Sequence, residues 1–167
     1  VMGVNLGRLG FLTEIPVGEA ALTLDKFLAG DASLVSPRWL LEARTGAEVS
    51  YCLNDVVVTK GAKARMIELA IGVDGRDVAM LKADGLIVST PTGSTAYSLS
   101  AGGPIVHPKV PAIVLTPICP HTFSFRPLAV PSTSTLSVRL LTGGEEVHLT
   151  LDGQRGGGLV RNDVVDI

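Results

Sequence analysis

The sequence predicts a mainly β fold of the sandwich or barrel class, with one or two helices. Apolar residues alternate with period two in several segments, turn residues separate these segments, and the segments recur at short spacing. Of the 167 residues, 46% are hydrophobic and 18% are charged, which is typical of a globular chain long enough to bury a core. We therefore expect one domain over residues 1–167, without an internal linker.

One segment near the start has helical periodicity. From Glu19 to Ala29, apolar residues recur every three or four positions, and Gly30 follows where a helix stop is expected. These apolar residues are Ala20, Leu24, Phe27 and Leu28. The pattern predicts an amphipathic helix.

Alternation predicts the strands. Residues 67–73 alternate, and the Asp74-Gly75 pair that follows them is a hairpin signal. Residues 136–140 and 147–151 alternate on either side of Gly143-Gly144, which predicts a second hairpin. Further short apolar segments lie at 56–59, 86–89, 113–116 and 164–167, so we expect about seven or eight strands.

Glycines and chain ends suggest two further features. Gly156-Gly157-Gly158 is interpreted as a flexible loop. Val1 and the final residues Val164–Ile167 both have the character of strand interiors. We therefore expect the chain to be a piece of a longer protein.

Composition also argues against several classes of partner and site. The 14 Lys and Arg against 16 Asp and Glu leave no excess of positive charge, which argues against nucleic-acid binding. No apolar stretch approaches the ~20 residues that span a bilayer, and the start does not resemble a signal peptide. Cys52 and Cys119 lie far apart, which argues against a zinc site or disulfide framework and favours a reducing, cytoplasmic compartment.

The segment from Asp84 to Gly103 is the densest in chemical groups. An apolar strand leads into small and hydroxyl-bearing residues, and Ser94 or Thr95 could cap a short helix whose free N–H groups would favour a phosphate. This pattern indicates a nucleotide pocket, although it is not a Walker P-loop, because the spacing and the lysine are absent. The alternative is that these residues form an ordinary loop and its caps.

Two shorter motifs carry polar groups next to strands. Asn54-Asp55 opens an apolar strand, where an amide and a carboxylate could hold ribose hydroxyls, although Asx residues also begin strands for purely structural reasons. Asp152-Gly153-Gln154 follows another strand and, alone, is an ordinary hairpin end.

The histidines do not suggest a metal or catalytic site. His107, His121 and His148 have no spacing typical of metal ligands and are interpreted as surface or cap residues. No Ser-His-Asp arrangement can be defended from sequence, because the triad is defined by geometry.

Taken together, these segments resemble the NAD kinase family. Gly3–Leu12 is similar to the stretch that joins the family's two domains, Leu53-Asn54-Asp55 to its Asn-Glu/Asp element, and Thr90–Pro104 to its long Thr-Pro-Thr-Gly-Ser-Thr-Ala-Tyr motif. Three further segments extend the resemblance over the whole chain: Pro120-His121-Thr122, Arg126-Pro127-Leu128 and Asp152-Gly153-Gln154. The fold that this implies is the family's C-terminal domain, a two-layer β-sandwich with a few short helices.

The resemblance also implies an activity and partners. The family transfers the γ-phosphoryl group of ATP, with Mg²⁺ or another divalent cation, to the 2′-hydroxyl of the adenosine ribose of NAD, giving NADP. It commonly forms homodimers or homotetramers through this domain. We therefore expect NAD and ATP as ligands and a homo-oligomer in the cytoplasm.

Site residues follow from the same resemblance. Asn54 and Asp55 would hold ribose hydroxyls, and four residues of the long motif would line the NAD pockets. These four are Thr95, Ala96, Tyr97 and Ser100. Arg65, Lys82, Asp84 and Gln154 match further NAD contacts, the first three of them at positions that can act across a subunit boundary.

One departure from the family pattern affects catalysis. The family's catalytic carboxylate lies in a Gly-Gly-Asp-Gly-Thr motif in the preceding α/β domain, whereas Asp-Gly occurs in this sequence only at 74–75, 84–85 and 152–153. Phosphoryl transfer to a hydroxyl needs a positioned base and charge. We therefore expect this chain, as a fragment, to bind NAD without catalysing its phosphorylation.

The sequence is also compatible with two other functions. A lipid kinase of the diacylglycerol or sphingosine type shares the two-domain architecture but would present an apolar acceptor channel. A non-catalytic dinucleotide-binding or oligomerisation module would bind NAD or NADP without turnover.

Overall fold

A computed structural model describes residues 2–7, 13–121, 125–144 and 146–167, with Arg155 described by its backbone alone. The chain divides into two compact units, Val1–Pro37 and Arg38–Ile167. The expectation of one domain over residues 1–167 stays a prediction. Part of the Gly3–Leu12 motif and Thr122 lie outside the described residues.

The first unit contains two short strands and one helix. Strand β1 (Val4–Asn5) pairs in parallel with β2 (Ile15–Pro16), and helix α1 covers Ala20–Leu28 between short 3₁₀ turns at Val17–Glu19 and Ala32–Leu34. This confirms the predicted helix to within one residue at each end. None of its residues is buried, because the apolar face that includes Phe27 is open to solvent. Neither α-helix in the described ranges reaches the length of an apolar membrane span.

The second unit is a two-layer β-sandwich. Its strands are β3 (Leu41–Thr45), β4 (Glu48–Cys52), β5 (Asp55–Lys60), β6 (Ile67–Val73), β7 (Arg76–Ala83), β8 (Gly85–Ser89), β9 (Ala112–Ile118), β10 (Leu128–Pro131), β11 (Leu136–Leu140), β12 (Val147–Leu151), β13 (Arg155–Leu159) and β14 (Val164–Asp166). The front sheet has the order β10-β9-β8-β5-β12-β13, and the back sheet has the order β4-β3-β14-β11-β6-β7. Every pairing in these two sheets is antiparallel, and the predicted mainly β fold is confirmed.

A single apolar core lies between the sheets. Val56 and Val58, alternate residues of β5, pack into this core from the front sheet. Ile67, Leu69 and Ile71 of β6 pack into it from the back sheet. Each of these side chains is almost fully buried, and burying one of this size contributes roughly 1.5–3 kcal/mol. The core therefore occupies one face of the front sheet, and its outer face is available for a site.

One of the two predicted hairpins is correct. Strands β6 and β7 pair around Asp74-Gly75, where both residues have positive φ. The other is wrong, because β11 pairs with β6 and β14 whereas β12 pairs with β5 and β13. The chain crosses from one sheet to the other after residue 140, and both strands still bury alternate residues in the same core.

The loop prediction for Gly156-Gly157-Gly158 is also wrong. These residues form the middle of β13, which pairs along its whole length with β12. A Cβ at Gly156 would collide with the Leu149 carbonyl of the neighbouring strand, so a glycine there permits the close pairing.

The number of strands was underestimated, since the described residues form twelve strands in the sandwich alone. Two of the additional strands, β4 and β10, are edge strands whose residues are mostly exposed. An edge strand with little burial needs no clear apolar alternation, so its sequence carries only a weak signal.

Candidate functional site

A cleft of about 320 Å³ opens on the outer face of the front sheet. Its lining comes from β5 and the residue before it, from the end of β12 and the turn after it, and from the segment that follows β8. The lining residues are Asn54, Asp55, Val57, Thr59, Ala96, Tyr97, Thr150, Asp152 and Gly153.

The floor of the cleft follows from the alternation of β5. Because Val56 and Val58 point into the core, Asp55, Val57 and Thr59 point to the opposite face. Thr150 of β12 lies beside Val57 in the antiparallel register and completes the floor. The floor therefore combines a carboxylate, two hydroxyls and one apolar side chain.

The wall of the cleft is anchored to the backbone of residues 53 and 54. The Thr90 hydroxyl donates to the Leu53 carbonyl (2.6 Å) and accepts from the Gly93 N–H (3.0 Å), and the Thr90 N–H donates to the Asn54 carbonyl (2.9 Å). A Cβ at Gly93 would collide with the Asn54 backbone, so this turn packs closely only as glycine. The wall and the Asn54-Asp55 pair therefore form one connected unit.

The hydroxyls predicted to cap a helix stabilise a short 3₁₀ turn (Gly93–Thr95) instead. The Ser94 hydroxyl donates to the Pro91 carbonyl (2.6 Å) and accepts from the Val106 N–H (2.9 Å), while Thr95 donates to the Thr92 carbonyl (3.2 Å). The helix that follows, α2 (Tyr97–Ser100), has one turn and no side-chain cap. The capping prediction is wrong, and this helix start provides no support for a phosphate site.

A buried pair of hydroxyls fixes α2 to the front sheet. The Ser98 and Thr116 hydroxyls lie 2.8 Å apart, and both residues are fully buried. A Cβ at Gly103 would collide with the Ser98 hydroxyl and crowd that of Thr116. This contact holds the helix so that Tyr97, 47% exposed, faces the cleft rather than the sheet.

The Asp152 carboxylate is bound by three consecutive backbone N–H groups. Its Oδ2 accepts from Leu53 (2.8 Å), and its Oδ1 accepts from Asn54 (2.7 Å) and Asp55 (3.1 Å). The Asp152 N–H in turn donates to the Asp55 carbonyl (3.0 Å). Successive N–H groups of this kind form a nest for an anion, and here a side chain of the same chain occupies it.

Asp55 has an unusual electrostatic environment. It is 5% exposed, and no described residue donates a hydrogen bond to its carboxylate. Burial, and then the nearby negative charge of Asp152, raise the pKa of Asp55 to about 6. Burial, the Asp152 charge and the Asp55 charge, in that order, raise the pKa of the buried Cys52 thiol to about 11, so the nucleophilic thiolate is a minor form at neutral pH.

One buried hydroxyl beside Asp55 lacks a partner. Ser89 pairs with Asp55 in the β5–β8 register, so the two side chains lie on the same face. The Ser89 Oγ is fully buried and has no hydrogen-bond partner among the described residues. A buried carboxylate without a donor and a buried hydroxyl without a partner are therefore neighbours beneath the cleft.

Four of the predicted NAD-binding residues meet in the cleft. Asn54 and Asp55 lie at its floor, while Ala96 and Tyr97 form its wall. Thr95 and Ser100 lie on the same segment as the wall but do not line the cleft. Their roles in binding remain predictions.

The other predicted contacts lie elsewhere. Lys82 is on β7 of the back sheet, and its Nζ lies 2.9 Å from Glu68 Oε1. The Asp84 Oδ1 lies 3.7 Å from Lys60 Nζ. Arg65 lies in the connection between β5 and β6, and Gln154 follows the turn that closes β12. The structure does not bring these four residues into the cleft of a single chain.

Sequence reasoning missed several lining residues. Asp152 was identified only within the Asp152-Gly153-Gln154 segment, a hairpin end that also resembles the family, and it was not among the predicted site residues. Val57, Thr59 and Thr150 were not singled out. For the floor residues the signal was available, because Val57 and Thr59 follow Asp55 at every second position of one strand. For Asp152 there was none, because its partners lie 97 to 99 positions away.

The cleft does not fit a divalent cation site. Both Asp152 oxygens accept backbone N–H groups, which leaves Asp55 as the one other acidic residue of the lining. Within the part of the chain that the structure describes, no three His, Cys, Asp or Glu residues lie close enough to hold a metal ion. Among the histidines, His148 lies 3.2 Å from Glu146, and His107 accepts from the Lys109 N–H (3.2 Å).

Comparison with protein families gives one match. The family model of the ATP-NAD kinase C-terminal domain matches residues 53–167. Curated relatives that match the whole chain include the NAD kinases of Geotalea daltonii and Syntrophotalea carbinolica, each 51% identical. The chain spans 60% of the length of these relatives.

Two solved structures have the same fold. Yeast NADH kinase complexed with NADH aligns with a TM-score of 0.86 and 37% identity, over 96% of this chain and 48% of its own. An NAD kinase from Archaeoglobus fulgidus in complex with ATP aligns with a TM-score of 0.81 and 30% identity, over 98% of this chain and 63% of its own. With the family model covering the whole front sheet and the cleft, the chain belongs to the NAD kinase family and contains its C-terminal domain.

Proposed function

We propose that this chain is the dinucleotide-binding part of an NAD kinase, which uses ATP to phosphorylate the 2′-hydroxyl of the adenosine ribose of NAD. The observation that carries the proposal is the cleft, in which Asn54, Asp55, Ala96 and Tyr97 converge from two separate segments. The yeast structure, which contains NADH, aligns over 96% of this chain.

The cleft residues have the groups that a dinucleotide requires. The Asn54 amide can donate and accept, and the Asp55 carboxylate accepts from hydroxyls, which suits the two adjacent hydroxyls of a ribose. The Tyr97 ring is half-exposed and can pack on a base, while Ala96 allows close approach. A lipid acceptor would instead favour an apolar channel, and this floor carries a carboxylate and two hydroxyls.

Catalysis requires groups that this chain lacks. Of the three Asp-Gly pairs, Asp74 and Asp152 accept hydrogen bonds in turns, and Asp84 lies beside Lys60. None stands in the family's Gly-Gly-Asp-Gly-Thr context. We therefore propose that the chain alone binds NAD without forming NADP, and that the general base belongs to the rest of the enzyme.

ATP and its cation enter the proposal through the family. The Archaeoglobus fulgidus relative was solved in complex with ATP, and ATP is proposed as the donor here. Mg²⁺ or another divalent cation would neutralise charge on the transferred phosphoryl group. Since the cleft does not fit a cation site, we assign no step to a cation held by this chain.

Assembly and compartment are proposed on the same basis. A homodimer or homotetramer would allow Arg65, Lys82 and Asp84, which do not line the cleft, to contribute to the site of a partner subunit. The cytoplasm is proposed because Cys52 and Cys119 are both free, as expected in a reducing compartment.

The test is a calorimetric titration of the chain with NAD and then NADP, beside a coupled assay for NADP formation with ATP and magnesium. We expect binding without turnover. Asn54→Ala and Tyr97→Ala should each weaken binding by about 1–3 kcal/mol, because each removes a polar or stacking contact. Tyr51→Ala is the matched control, since Tyr51 is the other tyrosine and lies on β4 of the back sheet.

Each outcome has a distinct meaning. The absence of binding by the unaltered chain would overturn the proposal that the dinucleotide site lies here. Formation of NADP by the chain alone would overturn the proposed division between binding and catalysis. If Tyr97→Ala and Tyr51→Ala change the affinity for NAD equally, Tyr97 does not contact the dinucleotide.

A further inference from the structure

Asp152 lies at the centre of the contacts that shape the cleft, although neither its sequence motif nor the family resemblance gave it a role of its own. It occupies the first position of the Asp152-Gly153 turn, with φ values of 49° and 70°. This turn joins β12 to β13 and forms one edge of the cleft.

The carboxylate organises the opposite edge. By accepting from three consecutive N–H groups, Asp152 fixes the backbone direction of residues 53–55 just where the Asn54 side chain enters the cleft. The carbonyls on the other side of this backbone accept from Thr90, so residues 53–55 are held from both sides. Charge-assisted bonds of this kind are stronger than neutral ones.

A second Asp-Gly turn of the same geometry provides a comparison. Asp74-Gly75 has φ values of 50° and 75°, and the Asp74 carboxylate also accepts a distant backbone N–H, that of Thr135 (2.9 Å), which immediately precedes β11. It also accepts from the Ser134 hydroxyl (3.2 Å), and neither residue lines the cleft. The local turn therefore does not by itself create a functional position.

The geometry points to Asp152 as a positioning residue for dinucleotide binding, which acts by holding the backbone of residues 53–55 so that Asn54 and Asp55 face the ribose. This inference rests on the proposed dinucleotide site. Asp152 needs no contact with the ligand in this role, because both of its oxygens are already engaged within the chain.

The test compares Asp152→Asn with Asp74→Asn in calorimetric titrations with NADP. Asparagine tolerates positive φ, so both turns are preserved. The amide has a single acceptor oxygen and no charge, so Asp152→Asn loses at least one contact to residues 53–55. We expect the Kd to rise about tenfold or more for Asp152→Asn, and to stay within about twofold of the original for Asp74→Asn, since one lost contact of about 1.4 kcal/mol corresponds to a factor of ten.

A further measurement separates positioning from mere folding. A purely structural role would reduce the fraction of molecules that bind, with an unchanged Kd, whereas positioning raises the Kd at unchanged stoichiometry. The amides of Leu53, Asn54 and Asp55 should also exchange hydrogen faster in folded Asp152→Asn than in folded Asp74→Asn. If Asp152→Asn does not fold, Asp152→Glu and Asp74→Glu form the second pair, since they keep the charge and displace the carboxylate by one methylene group.

The outcomes distinguish this inference from the proposed function. If the unaltered chain binds NADP and the Asp152 and Asp74 variants have equal Kd values, Asp152 is not a positioning residue, and the proposed function stands. If the unaltered chain binds neither NAD nor NADP, the proposed function fails, and this inference fails with it.

Discussion

The two Asp-Gly turns have nearly the same backbone and different surroundings. At Asp74 the carboxylate caps an exposed connection at the far end of the back sheet. At Asp152 the carboxylate is half-buried, accepts three N–H groups and lies close enough to Asp55 to raise its pKa. The two sequences, Asp-Gly-Arg and Asp-Gly-Gln, give no hint of this difference.

The comparison separates what a turn motif specifies from what its position in the fold specifies. The motif specifies positive φ and a reversal of the chain. The fold specifies which N–H groups lie within reach of the carboxylate. In this molecule the second factor assigns Asp152 to the site and leaves Asp74 a structural turn residue.

Asp152→Ala and Asp74→Ala should differ most in the free energy of unfolding. Both place alanine at positive φ, so that cost cancels in the comparison. Asp152→Ala also leaves three partly buried N–H groups without an acceptor, and we expect a loss on the order of 4 kcal/mol, against about 1 kcal/mol for Asp74→Ala. Urea unfolding, monitored by circular dichroism, measures both losses. Equal losses would show that the two turns contribute equally to the free energy of unfolding.

Gly93→Ala tests the other side of the same backbone. The added Cβ would collide with the Asn54 backbone, which is itself held by Asp152 and cannot move away. We expect a loss of about 3 kcal/mol together with weaker NADP binding. Gly157→Ala is the control, since its Cβ would meet nothing within 4 Å. If Gly93→Ala changes neither the free energy of unfolding nor NADP binding, the backbone of residues 53–55 is less constrained than the Asp152 contacts suggest.

The sequence predicted the parts of this fold that depend on local pattern. The helix at 19–29 and the β6–β7 hairpin at Asp74-Gly75 follow from periodicity and turn chemistry alone. Asn54 and Tyr97, which meet in one cleft, were predicted as binding residues through two motifs that resemble the family rather than through geometry.

The parts that were missed depend on which segments become neighbours. Alternation in β11 and β12 shows which residues are buried but not which strand lies alongside, so the two strands were paired with each other. Gly156 to Gly158 lack the side chains that mark a strand, although their backbone pairs fully with β12. The role of Asp152 depends on contacts across nearly a hundred residues, which no local pattern encodes.

The pH dependence of stability offers a smaller effect with a definite sign. The pKa of Asp55 is about 6 in the folded chain against an ordinary value of 3.8 for an exposed aspartate, so between these values the folded chain keeps a proton that the unfolded chain has lost. Stability therefore falls as the pH rises from about 4 to about 6. At about 1.4 kcal/mol per pKa unit, and with some water reaching the cleft, we expect Asp55 to contribute roughly 2 kcal/mol to this fall.

The measurement is the difference in unfolding free energy between the unaltered chain and Asp55→Asn at several pH values. Asp152→Asn should lower the pKa of Asp55 and shrink the difference, because it removes the nearby negative charge, which is the second cause of the shift after burial. Asp74→Asn should leave the difference unchanged. If both variants change this difference in unfolding free energy equally, the Asp152 charge is not a cause of the raised pKa of Asp55.

The smallest expected effect concerns the hydroxyl beside Asp55. Because the Ser89 Oγ is buried without a partner in the described part of the chain, its desolvation is not compensated, and Ser89→Ala should leave stability unchanged or raise it by up to about 1 kcal/mol. Ser98→Ala is the matched control, since the Ser98 hydroxyl of α2 is also buried against the front sheet, and it should cost about 1–3 kcal/mol, because it leaves the buried Thr116 hydroxyl unpaired. Thermal unfolding of both variants measures the contrast. A loss at Ser89 as large as the loss at Ser98 would mean that the Ser89 hydroxyl does find a partner in solution, and Asp55, its neighbour on β5, is the acceptor that the register places closest.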